Sequence, residues 1–153
     1  MKRVLAILLF ICLMMPCVLA EGSAFTLRFD EGFSLSLPEG WVSYPVEDET
    51  IRYALGDGAG HYMYILTQPS VFGDFDALRA AIDAREDWGR TSPLELDGQS
   101  FAAFIVPELN ASGCSTLLGS EVFTFLFTPQ DDSDYMLTVA EIMAGYRRWE
   151  MQS

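Results

Sequence analysis

The sequence predicts a small α+β domain in which β-hairpins are covered by two helices. Several short runs alternate apolar with polar side chains, as half-buried strands do, and glycine-containing turns join some of these runs into hairpins. Two other segments repeat apolar residues at the spacing of an amphipathic helix. No internal repeat, low-complexity tract or linker divides the chain. We therefore expect residues 21–153 to form a single α+β domain.

The first twenty residues have the pattern of a signal peptide. The basic pair Lys2-Arg3 precedes an apolar run at residues 4–15 that is too short to span a bilayer, and a small-residue cleavage site ends at Ala20. We expect cleavage after Ala20, which would leave a secreted or extracytoplasmic chain with no membrane insertion. Lipid anchoring at Cys17 is the alternative, for which the preceding proline is a poor fit.

The mature chain opens with a predicted β-hairpin. Residues 24–30 and 33–37 both alternate in the strand pattern, and Gly32 can adopt the positive φ angle of a tight turn between them. The large apolar residues expected on the inner face are Phe25, Leu27, Phe29, Phe33, Leu35 and Leu37. Serines occupy the outer face of the second strand, so we expect this hairpin to be covered on one side only.

A second hairpin is predicted around a glycine-rich loop at residues 56–60. Strands at residues 51–55 and 61–67 flank this loop, and the acidic residues 47–49 before them are typical of a solvated loop. The apolar residues that alternate along the second strand are Tyr62, Met63, Tyr64, Ile65 and Leu66. A strand that is apolar on both faces lies inside a sheet that is covered on both sides, so helices should provide the cover.

Two helices are predicted from their caps and their apolar spacing. The first follows Asp74, a good N-cap residue, and runs to Trp88 before Gly89. The second is capped by Asp132 or Ser133 and carries Arg147 and Arg148 in its last turn, where they favour the negative end of the helix dipole. The apolar residues of the first helix are Phe75, Leu78 and Ile82. Those of the second are Tyr135, Val139, Ile142, Met143 and Tyr146.

Two further strands are predicted between these helices. Residues 101–106 and 122–128 are both strand-like, and Phe123, Phe125 and Phe127 should share one face of the second run. The short connection at residues 129–131 should bring the closing helix back against these three rings. Residues 108–120 leave two alternatives open, a short strand at residues 114–118 or an irregular loop.

The charge of the chain restricts its partners. The formal net charge of the whole chain is −13, and removal of residues 1–20 would leave seven arginines, no lysine and 22 acidic residues. Such a surface repels phosphate backbones and anionic lipid headgroups, so we predict no nucleic-acid partner. Cationic partners are favoured, although an acidic surface also serves the solubility of a secreted domain.

The opening and closing segments resemble those of the PsbP-like superfamily. Residues 33–41 are similar to the opening of that family, in which an apolar strand runs into a proline, a glycine and a tryptophan, here Trp41. Residues 123–147 are similar to its last strand and final helix. The resemblance implies a mostly antiparallel sheet with helices on both faces, an α/β/α sandwich. It also implies a non-enzymatic accessory role, and it transfers no site residue to this chain.

Few residues of the chain could support catalysis. Activation of a serine or cysteine nucleophile by imidazole requires a histidine, and His61 is the only one. Its position at the start of a strand favours an ordinary structural role. Cys114 would be the only cysteine after cleavage, so no disulfide could form within the chain, and no basic neighbour lowers the pKa of its thiol. We interpret Cys114 as a small buried group and predict no catalytic residue and no cofactor.

We also predict no metal site. One histidine and one cysteine are too few for a zinc centre. The cluster Asp131-Asp132-Ser133-Asp134 offers oxygen ligands for calcium, but it lacks the glycine and the distal glutamate of an EF-hand loop. Helix capping explains the same residues.

The function that the sequence favours is a secreted, non-catalytic binding or accessory domain for an unknown protein or small-molecule ligand. The aromatic residues most able to line a groove are Trp41, Tyr44, Tyr53, Tyr62 and Tyr64. The alternative is a hydrolase that works through carboxylates at an unrecognised site. That alternative would require two facing acids with raised pKa values in a cleft.

Overall fold

The structure is a computed structural model that describes residues 24–149. The predicted signal peptide, its cleavage site after Ala20 and the alternative anchor Cys17 lie outside the described residues. The strands are β1 Phe25–Phe29, β2 Phe33–Leu37, β3 Val42–Tyr44, β4 Ile51–Gly56, β5 Tyr62–Pro69, β6 Ser92–Leu96, β7 Gln99–Val106, β8 Ala111–Leu118, β9 Glu121–Thr128 and β10 Arg147–Arg148. The helices are α1 Phe75–Asp83 and α2 Ser133–Ala144, and Pro107–Leu109 forms a 3₁₀ turn. Across residues 24–149, no helix combines the length and apolar character needed to cross a membrane.

The strands form two antiparallel sheets that stack with the helices into three layers. The large sheet has seven strands in the order β3-β4-β5-β9-β8-β7-β6, and the small sheet has the order β1-β2-β10. Helix α1 packs on one face of the large sheet, while α2 and the small sheet share the other face. The predicted α+β fold, with a mostly antiparallel sheet and helices on its faces, is confirmed.

The main core lies between the large sheet and the layer formed by α2 and the small sheet. Phe125 of β9 is fully buried, and its ring contacts those of Phe33 and Phe101 at centroid distances of 5.6 and 6.0 Å. Tyr146, which follows α2, is also fully buried and contacts the same three rings. The predicted strand register at Phe123, Phe125 and Phe127 is therefore confirmed.

Helix α1 is shorter than predicted. Asp74 caps it as expected by accepting a hydrogen bond from the Ala77 amide at 2.8 Å, but the helix ends at Asp83. The Asp83 carboxylate accepts the Thr91 amide at 2.7 Å, which draws the chain toward β6. Trp88 therefore lies outside the helix.

The end of α2 also differs from the prediction. Asp132 caps the helix through the Tyr135 amide, as expected, but Arg147 and Arg148 form β10 instead of a last helical turn. Arg147 pairs with Ser34 of β2, and its guanidinium still donates to the helical carbonyl of Ala144 at 2.8 Å. On the outer face of the first hairpin, Ser34 is buried but its cross-strand partner Arg28 is exposed, so this face is covered only in part.

Several strands differ from their predicted form. Phe25 was expected on the inner face of β1, but it is the first residue of the strand and is exposed. The ambiguous residues 108–120 contain a strand, β8, which is longer than the predicted alternative at residues 114–118. The edge strands β3 and β6 were not predicted. Pro93 obscures the pattern of β6, and an edge strand is where a sheet tolerates proline.

Helix α1 covers only part of its face of the large sheet. It lies over β8, and the strands β3, β4 and β5 extend beyond it. The outer side chains Tyr62, Tyr64 and Leu66 of β5 are therefore half-buried, whereas Met63 and Ile65 on the opposite face are fully buried. The large sheet is covered on both faces as expected, but the cover over β5 is complete on one face and partial on the other, and the part of the sheet beyond α1 forms a groove.

Candidate functional site

The candidate site is a groove on the part of the large sheet that α1 leaves open. Its volume is about 540 Å³, which lies within the range of small-molecule pockets. The groove is lined by Tyr44, Pro45, Val46, Glu47, Asp48, Ile51, Ala54, Tyr62 and Tyr64. We call it the tyrosine groove.

The strand register places two tyrosines on either side of a small residue. Tyr44 of β3 pairs with Ala54 of β4, and Ala54 pairs in turn with Tyr64 of β5. Side chains at paired positions share one face of a sheet. Because the methyl group of Ala54 is much shorter than the flanking rings, the surface is lowest between the two tyrosines.

A glycine lets the third tyrosine join them. A Cβ atom at Gly56 would lie 2.6 Å from the His61 carbonyl oxygen and 3.1 Å from the Tyr44 ring. With no side chain in that space, the rings of Tyr44 and Tyr62 meet edge to face at a centroid distance of 5.8 Å. Tyr62 and Tyr64 stack at 6.2 Å, so the three rings form one continuous aromatic surface.

The rim of the tyrosine groove is acidic. Glu47 and Asp48 come from the exposed loop between β3 and β4. Asp48 accepts hydrogen bonds from the side chain and the amide of Thr50, which lower the pKa of its carboxyl. Asp48 is therefore ionised at neutral pH, and its position is fixed by the turn. The groove combines electron-rich aromatic faces with negative charge, which is the combination that attracts organic cations.

Three of the five aromatic residues predicted to line a groove do so. Tyr44, Tyr62 and Tyr64 lie in the tyrosine groove, but Trp41 is buried against Tyr135 in the main core. Tyr53 faces the opposite side of the sheet, where its hydroxyl donates to Glu31. The sequence analysis did not identify Ala54 and Gly56 as groove residues. The pattern that could have indicated them is a pair of small residues two positions apart in one strand.

His61 lies near the groove in a structural role. Its Nδ1 lies 2.6 Å from an Asp57 carboxylate oxygen and its Nε2 lies 3.3 Å from one of Asp132, while its ring stacks on Tyr135. Both ring nitrogens can donate to these carboxylates only when the ring is protonated. The hydrogen bond to Asp57, followed by that to Asp132, raises the pKa of His61. His61 thus joins the loop after β4 to the start of α2.

This arrangement predicts a pH-dependent stability. A histidine whose pKa is raised by folding stabilises the protein fully below its unfolded pKa of about 6.5, and this stabilisation is lost as the pH rises through the higher folded value. We expect the melting temperature to fall by a few degrees at most between about pH 5.5 and pH 8.5, because surface ion pairs are weak. In His61→Gln, which cannot be protonated, thermal scans should show a smaller change over the same range. An equal change in both proteins would mean that other groups control it.

Cys114 and the acidic residues do not form a catalytic cluster within residues 24–149. Cys114 is buried, and burial raises the pKa of its thiol to about 12, which agrees with the prediction of an inert side chain. The carboxyls with displaced pKa values are all shifted downward, namely Asp48, Asp57, Asp83, Asp87 and Asp132. A carboxyl with a lowered pKa is a poor proton donor, so these residues do not support the hydrolase alternative. No group of three potential metal-ligating side chains occurs in this part of the chain.

Comparisons with known proteins support the fold. No family model and no curated protein matches the chain. The solution structure of cyanobacterial PsbP (CyanoP) from Synechocystis sp. PCC 6803 matches with a TM-score of 0.59 and 13% sequence identity, over 89% of this chain and 99% of that chain. A crystal structure from Bacteroides thetaiotaomicron matches with a TM-score of 0.48 and 14% identity, over 87% of this chain and 50% of that chain. The resemblance that the sequence indicated is confirmed at the level of the fold: this chain has a PsbP-like fold.

Proposed function

We propose that this chain is an exported, non-catalytic binding domain that holds a cationic segment of a partner protein in the tyrosine groove. The observation that carries the proposal is the continuous surface of three tyrosine rings beside Glu47 and Asp48. An arginine or lysine side chain over a tyrosine face gains about 0.5–2 kcal/mol from the cation–π interaction. Neighbouring carboxylates add attraction and orient the bound cation.

Two further features support this function. The net charge of −13 steers cationic partners toward the protein from a distance and repels anionic ones. The fold is PsbP-like, and the resemblance implies an accessory role without catalysis. Export rests on the signal-peptide pattern of residues 1–20.

The proposal is tested by titrating the purified protein with a fluorescent oligoarginine peptide. We expect Tyr64→Ala to weaken binding about tenfold, since it removes one aromatic face of the groove. Glu47→Gln should also weaken binding. Its matched control is Glu86→Gln, which removes the same charge from an exposed residue outside the tyrosine groove and should have a smaller effect.

The controls separate a specific site from general attraction. Equal losses in Glu47→Gln and Glu86→Gln, with no effect of Tyr64→Ala, would show that the peptide responds only to net charge and would refute the tyrosine groove as the site. Binding of an oligoglutamate peptide with similar affinity would refute the proposal that the ligand is cationic.

A further inference from the structure

A second groove lies on the opposite face of the large sheet, at its other end. It runs between α2 and the strands β6, β7 and β8, and its volume is about 520 Å³. The apolar side chains along it belong to Leu94, Leu96, Ala103, Ile105, Met136, Val139, Ala140, Met143 and Ala144. We call it the apolar groove.

The apolar groove exists because the side chains on its floor are small. Ala103 of β7 pairs with Cys114 of β8, and Ser112 lies two residues before Cys114 on the same face. Larger residues stand on either side of this floor, with Met136 on α2 and Leu94 on β6. The result is a channel with apolar walls that the side chains of the main core do not fill.

Among residues 24–149, one charged side chain lines this groove. Arg90 precedes β6 and so lies at one end of the groove, beside Ser92. Within residues 24–149, its guanidinium has no carboxylate within 4 Å, although the more distant Asp83 feels its charge. Arg90 therefore has donors available for an anionic ligand.

We propose that the apolar groove binds a free single-chain amphiphile with an anionic headgroup, such as a fatty acid. The alkyl chain would lie along α2 over the small residues of the floor, where its burial is driven by the hydrophobic effect. The carboxylate would pair with Arg90, since the acidic surface elsewhere repels an anion. This site is separate from the tyrosine groove in position and in the charge of its ligand, so either proposal can fail while the other stands.

The test is isothermal titration of the purified protein with monomeric decanoate, compared with 1-decanol. We expect saturable binding of decanoate to one site. Ala140→Trp, which fills the groove from an exposed helical position, should abolish the binding of both compounds. Arg90→Gln should weaken decanoate binding about tenfold and leave 1-decanol binding unchanged, because only the carboxylate needs the guanidinium.

Two matched variants provide the controls. Leu137→Trp adds the same ring to an exposed position of α2 outside the groove, and Arg85→Gln removes an exposed guanidinium that pairs with Asp87. Both should bind decanoate normally, and all variants should keep the circular dichroism spectrum of the parent. Decanoate binding that survives Ala140→Trp would overturn the proposal. The proposal would also be overturned if the parent protein were a dimer that Ala140→Trp dissociates. It would likewise be overturned if the protein bound phosphatidylglycerol vesicles but did not bind decanoate.

Discussion

Replacing Phe125 with alanine is expected to lower the free energy of unfolding by about 3–5 kcal/mol. The Phe125 side chain is fully buried between the large sheet and the layer above it, in contact with the rings of Phe33, Phe101 and Tyr146. These rings belong to separate strands and to the segment after α2, so they cannot close a cavity by a small local movement. Denaturant unfolding followed by circular dichroism measures the loss, which is a large part of the stability of a typical domain.

Two variants calibrate this loss. Leu137→Ala truncates a side chain that is 67% exposed on α2 and should change stability by less than about 0.5 kcal/mol. Thr124→Ala lies on the other face of β9, where its hydroxyl lies 2.7 Å from that of the buried Ser115, so we expect a loss of about 1 kcal/mol. A Phe125→Ala protein as stable as the Leu137→Ala protein would contradict the strand register and the stacking of the layers.

Adding one methyl group at Gly113 is expected to destabilise the protein by about 1–3 kcal/mol. A Cβ atom at this position in β8 would lie 2.7 Å from Leu126 and 2.9 Å from the Phe104 ring. Phe104 cannot swing away freely, because Trp88 stacks on it at a centroid distance of 4.6 Å. Gly113→Ala should therefore lower the denaturation midpoint, although alanine normally suits a strand better than glycine does.

Gly73→Ala is the matched control for this substitution. A Cβ atom at Gly73 meets no other atom within 4 Å, and the backbone there does not need a positive φ angle. We expect Gly73→Ala to be neutral or to stabilise the protein by up to about 1 kcal/mol through the lower entropy of the unfolded chain. Equal effects of the two substitutions would mean that the packing around Gly113 adapts without cost.

The parts of the fold that the sequence predicted are those that local patterns determine. Alternating side chains placed β2 and β9 in the correct register, and Asp74 and Asp132 marked the starts of both helices. Strand β10 was missed because its two arginines become extended only by pairing with β2, which is distant in sequence. The early end of α1 likewise depends on a hydrogen bond from Thr91, which no pattern within the helix reveals.

The candidate site was predictable only in its aromatic residues. Tyr44, Tyr62 and Tyr64 stand out in the sequence, but the groove between them depends on Ala54 and Gly56 in another strand. The apolar groove was not predicted at all, because its floor combines small residues from two strands and its wall comes from α2. A groove is a property of what neighbouring elements leave unfilled, and such a property has no local pattern.

The pairing of β10 with β2 affects when this fold can be completed. Arg147 and Arg148 supply the third strand of the small sheet, and the Trp149 indole donates to the Phe33 carbonyl, which lies 116 residues earlier. Until these residues pair with it, one edge of β2 has unpaired backbone groups and apolar residues beside them. Unpaired edges of this kind promote association between nascent chains. The small sheet can therefore be completed only once residues 147–149 are free to pair with β2, and we expect the chain to depend on chaperone protection until then.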